Sequence, residues 1–203
     1  MSNKKEVIAA TAAMAALAAA GSSASAADVG APHDWSGFYA GVSVGGFMGA
    51  LPNVQDTTSH YNLVTSITPG AFAGFNVQSG NIVWGAEADF QGIAMANADS
   101  TARPYSLNST LDAKVRLGYA TDQFLFYVAG GASTQDVNGH NDKATYSTYG
   151  VNLGIGVDFK ATDRVIIGAE FTDRLMTGWD AYNSVAFHSS NQEIALRASY
   201  LLN

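Results

Sequence analysis

The chain has no cysteine, so neither a disulfide framework nor a thiolate metal site can be built from it, and redox chemistry has no candidate residue. Charge is scarce as well: Asp, Glu, Lys and Arg make up 13% of the residues, where about 25% is usual for a soluble domain. Lys plus Arg number 10 against 17 for Asp plus Glu, a net charge of −7. Neutralising the phosphates of a nucleic acid takes a basic face, which argues against a nucleic-acid partner. A long hydrophobic run is also missing beyond residue 26, where Gly, Asn, Asp or Lys interrupts the apolar residues every few positions. No second spanning helix fits that pattern.

What the chain does contain is 47% hydrophobic residues at a mean hydropathy of +0.04, with 21 glycines. The length suits one domain, and the hydropathy excludes a bundle of long apolar helices. With so little charge, apolar surface is presented to something other than water.

The first segment reads as an export signal. Lys4 and Lys5 precede an Ala-rich apolar run from Val7 to Ala20, and Ala24-Ser25-Ala26 supplies the small residues of a signal-peptidase site. The run is shorter than the ~20 residues that span a bilayer, and it ends in Gly and Ser. Cleavage is therefore expected after Ala26, leaving residues 27–203 as the mature domain.

Beyond Trp35 the dominant pattern is alternation, the period of β-strands, and eight segments can be drawn. Segment one, Ser36 to Phe47, sets Phe38, Ala40, Val42 and Val44 against Gly41, Ser43 and Gly45. Segment two, Ile67 to Gln78, aligns Ala71, Ala73, Phe75 and Val77. In the third, Ile82, Trp84, Ala86, Ala88 and Phe90 alternate with Gly85, Glu87, Asp89 and Gln91. The fourth is clearest, with Leu111, Ala113, Val115, Leu117 and Tyr119 backing onto Asp112, Lys114, Arg116 and Gly118. Segments five to eight continue over about 124–133, 146–159, 165–171 and 193–202. They place Asn152, Gly154, Gly156 and Asp158, then Gly168 and Glu170, then Glu193, Arg197 and Ser199 on the polar face.

The connections alternate too. Ser79-Gly80-Asn81, Thr121-Asp122-Gln123 and Ala161-Thr162-Asp163 are short, whereas the others run to roughly 12–20 residues, near 48–66, 92–109, 134–145 and 174–189. Short periplasmic turns and longer outer loops give this rhythm, with both termini in the periplasm. Trp35, Tyr119, Phe124, Phe159 and Tyr200 are expected as an interfacial girdle at the short-turn rim, with Phe47, Phe90, Tyr149 and Phe171 at the other.

A soluble β-sandwich alternates as well, but it carries charge on its outer face. Here the polar face is mostly Gly, Ser and Asn, which suits a narrow lumen better than a water-facing surface. The fold expected is therefore all-β, an eight-stranded antiparallel up-and-down transmembrane barrel in the cell outer membrane. Its inward charges, Glu87, Asp89, Asp112, Lys114, Arg116, Glu170, Glu193 and Arg197, are expected to pair as a structural network. Glu87 is expected near Lys114 or Arg116, and Glu170 near Arg197.

The opening Asp34-Trp35-Ser36-Gly37-Phe38-Tyr39-Ala40-Gly41 resembles the small outer-membrane β-barrel family of porin-family, immunogenic and opacity-protein-like members. Val83-Trp84-Gly85-Ala86-Glu87-Ala88-Asp89 is similar to its third strand. Val115-Arg116-Leu117-Gly118-Tyr119-Ala120 and Val128-Ala129-Gly130-Gly131-Ala132 are similar to its fourth and fifth. The resemblance covers nearly the whole mature chain. It implies eight strands, an outer-membrane address, insertion by the barrel-assembly machinery, and roles in envelope integrity or surface recognition. In some members it implies haem binding or slow solute passage. Members usually end on an aromatic residue that the assembly machinery reads, whereas this chain ends Tyr200-Leu201-Leu202-Asn203, with Leu202 the residue to stand in.

The leading functional expectation is a non-enzymatic envelope or surface-interaction protein, acting through its outer loops on an extracellular ligand or host surface, with outer-membrane lipid around it. A narrow porin is the second, since eight strands leave an interior just wide enough for side chains. A rim-located lipid-acyl hydrolase is the third, resting on His188, Ser190 and Asp173. His33, His60, His140 and His188 lack recognisable ligand spacing, so no metal or cofactor is expected. The Gly-rich piece 150–156 has no Gly-Lys-Ser/Thr following it and repeats at strand period, so it is no nucleotide loop.

Overall fold

The computed structural model describes residues 34–52, 60–92, 105–139, 145–180 and 185–202. They form eight strands: β1 (Gly37–Pro52), β2 (His60–Ser79), β3 (Ile82–Gly92), β4 (Tyr105–Ala120), β5 (Phe124–Gly139), β6 (Thr145–Lys160), β7 (Val165–Asp180) and β8 (Val185–Leu201). Each pairs antiparallel with its sequence neighbours, and β8 closes onto β1 through pairs such as Val42 with Ala198. Closure leaves no sheet edge, so every strand finds backbone partners on both sides, as a hydrocarbon environment demands. The expected fold holds.

Alternation decides which side chain faces where. β3 is the plainest case, its residues exposed and buried in strict turn. On the outside stand Val115, Leu153, Leu196 and Ile67, each more than 60% exposed. Such surface is tolerable only against lipid. Among the described residues no helix is long and apolar enough to cross a membrane; the apolar outer surface belongs to the strands.

Glycines on the inner face make room for the large rings that fill it. A Cβ on Gly156 would run into the ring of Tyr127, and one on Gly74 into the Tyr39 ring at 2.5 Å from Cζ. Pro69 lies where β2 pairs with Val44 of β1 but has not yet met β3, whose pairing starts at Gly70, so its missing N–H costs no bond on that side.

Two sequence expectations are corrected. The strands run further outward than the hydropathy pattern indicates, so the long connections are 53–59, 93–104, 140–144 and 181–184 rather than 48–66, 92–109, 134–145 and 174–189. Above the lipid both faces of a strand meet polar surroundings, so the apolar alternation stops while the hydrogen-bonded ladder continues. Register shifts between Phe47 and Gly49 and between Leu107 and Ser109 mark this outer zone.

The second correction concerns the aromatics. Tyr119, Phe124, Phe90 and Tyr149 do face outward, and Phe124 packs on Phe159 with ring centroids 5.2 Å apart. Trp35 and Phe47, however, are buried inside the barrel. Phe47 shares the odd-numbered parity of the inward residues Tyr39 and Ser43, which overrides the preference of an aromatic for the interface, whereas Trp35 precedes β1 and its segment is held by Gln78 and Lys160.

Candidate functional site

The inward side chains form a polar layer across the lumen. β3 contributes Glu87, Asp89 and Gln91, and β4 contributes Asp112, Lys114 and Arg116. β7 contributes Glu170 and Arg174, and β8 contributes Glu193 and Arg197. All of these are buried. Buried charge is costly unless each ion is paired and hydrogen-bonded, and the layer divides into two clusters in which that happens.

The inner cluster centres on Glu87. Its carboxylate meets Lys114 Nζ at 3.0 Å, Arg116 Nη1 at 3.1 Å, and Arg197 Nη2. Glu170 takes Lys114 Nζ at 2.7 Å and Arg197 Nη1 at 2.6 Å, and accepts from the Tyr127 hydroxyl at 2.8 Å. Arg116 reaches on to Asp158 at 2.6 Å, and its Nη1 donates to the Tyr39 hydroxyl, which itself donates to Glu87. The Arg116 guanidinium lies 3.8 Å from the centroid of the Tyr127 ring, and that of Arg197 lies 3.9 Å from the centroid of Phe72. Both cations thus have an aromatic face as well as a carboxylate.

The outer cluster centres on Arg174. Its Nε and Nη2 approach Asp112 Oδ2 at 3.0 and 2.6 Å, its Nη1 lies 3.0 Å from Glu193, and its Nη2 donates to Gln91 at 3.1 Å. Thr68 donates to Glu193 at 2.6 Å and Ser133 to Asp112 at 2.6 Å. Asn191 donates to Gln135, and Gln135 to Thr110, so uncharged groups continue the layer outward.

All eight residues expected in the lumen lie there, with Glu87 against both Lys114 and Arg116 and Glu170 against Arg197. Sequence reasoning missed Arg174, Tyr39 and Tyr127 as members, and placed Asp158 on the polar face without counting it in the network. Arg174 was hidden in a polar run taken for loop. Continuing the parity of Gly168 and Glu170 through Thr172 places it inward.

Oxygens of Glu87, Asp89 and Glu170 come within 4.8 Å of one another, a spacing that could hold a metal ion. Lys114 Nζ stands within 3.3 Å of all three side chains, so the chain's own ammonium takes the cation's place. Among the described residues the lumen layer carries the carboxylates of Glu87, Asp89, Asp112, Asp158, Glu170 and Glu193 against the cations Lys114, Arg116, Arg174 and Arg197. Negative charge is in excess.

Near the short turns, Tyr39, Asn76, Arg116, Asp158, Arg197 and Ser199 surround a cavity of ≈ 10 Å³. That is space for about one water.

His188 is exposed on β8, and its Nδ1 lies 3.1 Å from Thr177 Oγ1, whereas Ser190 Oγ approaches Asp173 at 3.4 Å. The serine meets the carboxylate and the imidazole meets a threonine, which is not the Ser–His–Asp order of a hydrolase. His33 and His140 lie outside the described residues, as does the side chain of His60.

A family model described as outer membrane protein beta-barrel domain matches residues 12–200. The 25 kDa outer-membrane immunogenic protein of Brucella abortus biovar 1 is 27% identical over 152 residues, which cover 71% of this chain and 67% of that protein. The 22 kDa outer membrane protein of Rhizobium leguminosarum bv. viciae is 28% identical over 141 residues, 68% of this chain and 62% of that protein. In three dimensions the chain is similar to the crystal structure of Neisserial surface protein A, with a TM-score of 0.58 at 12% identity, covering 82% of this chain and 98% of that one. That last likeness is one of fold.

Proposed function

This chain belongs to the outer membrane protein beta-barrel family and resides in the outer membrane, and from that premise we propose that it is a non-enzymatic envelope and surface-interaction protein. Its barrel is a closed scaffold, inserted by the barrel-assembly machinery after a leader over residues 1–26 is removed. Its outer connections meet the extracellular ligand or surface. The observation that carries this reading is the filled lumen, where buried ion pairs take up the interior that transport would need. What is left for specific recognition is the outer end, where strands continue beyond the apolar belt.

The test replaces connections 53–59, 93–104, 140–144 and 181–184 with short Gly/Ser turns in the full chain. Cells carrying the trimmed barrel, verified as folded by its heat-dependent gel mobility, should lose surface adhesion or resistance to detergent while keeping the barrel. Unchanged adhesion and unchanged envelope robustness would overturn the reading.

A second reading, a narrow pore, is favoured by the excess of carboxylates over cations in the lumen layer. Such a pore would pass small cations in preference to anions. Bilayer recordings of the refolded protein separate the two: reproducible cation-selective steps support the pore, and silence from a verified barrel supports the closed scaffold.

A further inference from the structure

We infer that Trp35 is a stopper that closes the short-turn, periplasmic mouth of the barrel, held there by the segment Asp34–Ser36 and by Lys160. This closure is separate from the ion-pair layer, and it stands whether or not the outer connections bind anything.

A tryptophan beside the first strand of a membrane barrel would ordinarily lie on the outside, at the lipid–water interface. Trp35 is instead 0% exposed and packs among Val83, Ala120, Leu125, Tyr127, Ala129 and Ile166. These residues come from β3, β4, β5 and β7 and point inward near the ends joined by the short turns. The ring therefore belongs to a cluster shared by four of the eight strands at the mouth.

The segment carrying it is fixed on several sides. The Trp35 N–H donates to Gln78 Oε1 at 2.8 Å, the Gln78 N–H donates to Ser36 Oγ at 3.0 Å, and the Gln78 amide donates to the Gly80 carbonyl. The Ser36 N–H donates to Asp34 Oδ1 at 2.9 Å. From the opposite wall, Lys160 Nζ bonds the Asp34 carbonyl and lies 5.4 Å from the centroid of the Trp35 ring. Gly37 follows at φ 125, a conformation that L side chains rarely adopt. It lets the chain turn from the mouth into β1.

Ile166 belongs both to the packing around Trp35 and to the wall of the small polar cavity that reaches Arg116 and Asp158. The ring is thus joined through Ile166 to the wall of a partly open cavity that reaches the innermost charges of the lumen. Removing it should widen access from the mouth to those charges and leave the outer cluster around Arg174 closed.

Because the chain has no cysteine, one introduced thiol reports access without background. Ala129, in the same buried cluster as Trp35, becomes Ala129→Cys, and Ser133, deeper in the lumen beside Asp112, becomes Ser133→Cys as the control. Each is refolded in the full chain and treated with a charged methanethiosulfonate. With Trp35 present, Ala129→Cys should label slowly. Adding Trp35→Ala should raise its rate about tenfold or more, since labelling follows the population of the open form. Trp35→Phe should stay slow, and the Ser133→Cys control should not change. Should Trp35→Ala fail to fold, Lys160→Met is read instead, and it should speed Ala129→Cys several-fold. Fast labelling with Trp35 in place, an unchanged rate on its removal or on Lys160→Met, or an equal rise at Ser133→Cys would each overturn the stopper.

Discussion

The ammonium of Lys114 stands 2.7 Å from Glu170 Oε1, across the lumen and 56 residues away in sequence. With Glu87 and Asp89 against the same nitrogen, Lys114 is shared by three carboxylates on two strands. Lys114→Met keeps the length of the side chain and removes the charge. Breaking a buried ion pair by deleting one partner costs about 3–5 kcal/mol. Guanidinium unfolding in phospholipid vesicles should show a loss of that order; a midpoint equal to the parent's would mean that the cluster is not held by charge.

The grip of Arg174 on Asp112 predicts coupling of a different kind. Arg174→Met leaves Asp112 with Ser133 alone, and Asp112→Asn leaves Arg174 with Glu193 and Gln91. Since each single change removes the same contact, the double variant should be less destabilised than the two losses added together. The difference is expected at about 1–3 kcal/mol. Additive losses in the same unfolding assay would show that the two side chains act independently.

Sequence alone exposed these clusters only in part, for reasons that lie in particular residues. Within the apolar belt each strand has lipid on one side and the lumen on the other, so β3 and β4 announce both faces in their alternation, and eight buried charges follow from parity alone. Beyond the belt that contrast disappears. The stretch from Arg174 therefore looks like loop although it continues β7, and the outer cluster lost its central cation. Phe47 shows the converse error, because residue type outweighed a parity that already pointed inward, and Trp35 lies before β1, where no strand pattern reaches it. Which charges meet across the lumen, as Lys114 meets Glu170 and Arg116 meets Asp158, depends on barrel closure and side-chain reach, and neither is encoded in any local stretch.

The glycines of the inner face predict a steric cost. Gly156→Ala puts a methyl group into the Tyr127 ring, whose hydroxyl is tied to Glu170 and whose face covers Arg116. Overpacking of this kind costs about 1–3 kcal/mol. In a Tyr127→Leu background the ring is gone, so the same substitution should be nearly neutral relative to that background. An equal loss in both backgrounds would refute the contact.

Asp34 links the stopper to pH. Its carboxyl accepts the Ser36 N–H and side-chain bonding from Ser36, which together hold its pKa below the ordinary carboxylate value. A group lowered on folding contributes stability that is complete above its unfolded pKa, near ~3.9, and is lost as pH falls through the folded value. Asp34 is exposed, so the effect is small. With Trp84→Phe and Trp179→Phe leaving Trp35 as the single tryptophan, acrylamide quenching should be low and flat at neutral pH and rise only below about pH 4. Asp34→Ala should remove the step; a step that survives it would assign the titration to another group.

The lipid-facing surface gives the sharpest positional contrast. Val115 is 67% exposed and sits midway along the apolar face of β4, between Ala113 and Leu117, whereas Leu202 is 60% exposed just past the end of β8. In water these two positions would tolerate arginine equally. In a bilayer they differ by depth: a cation near the midplane of a barrel's outer face costs about 2–4 kcal/mol, and one near the interface about 0–1 kcal/mol, because a long side chain there reaches the headgroups. Val115→Arg should therefore be strongly destabilised in vesicles and Leu202→Arg close to the parent. Equal effects would require the belt to be placed elsewhere on the strands, and with it the outer ends proposed to meet the surface ligand.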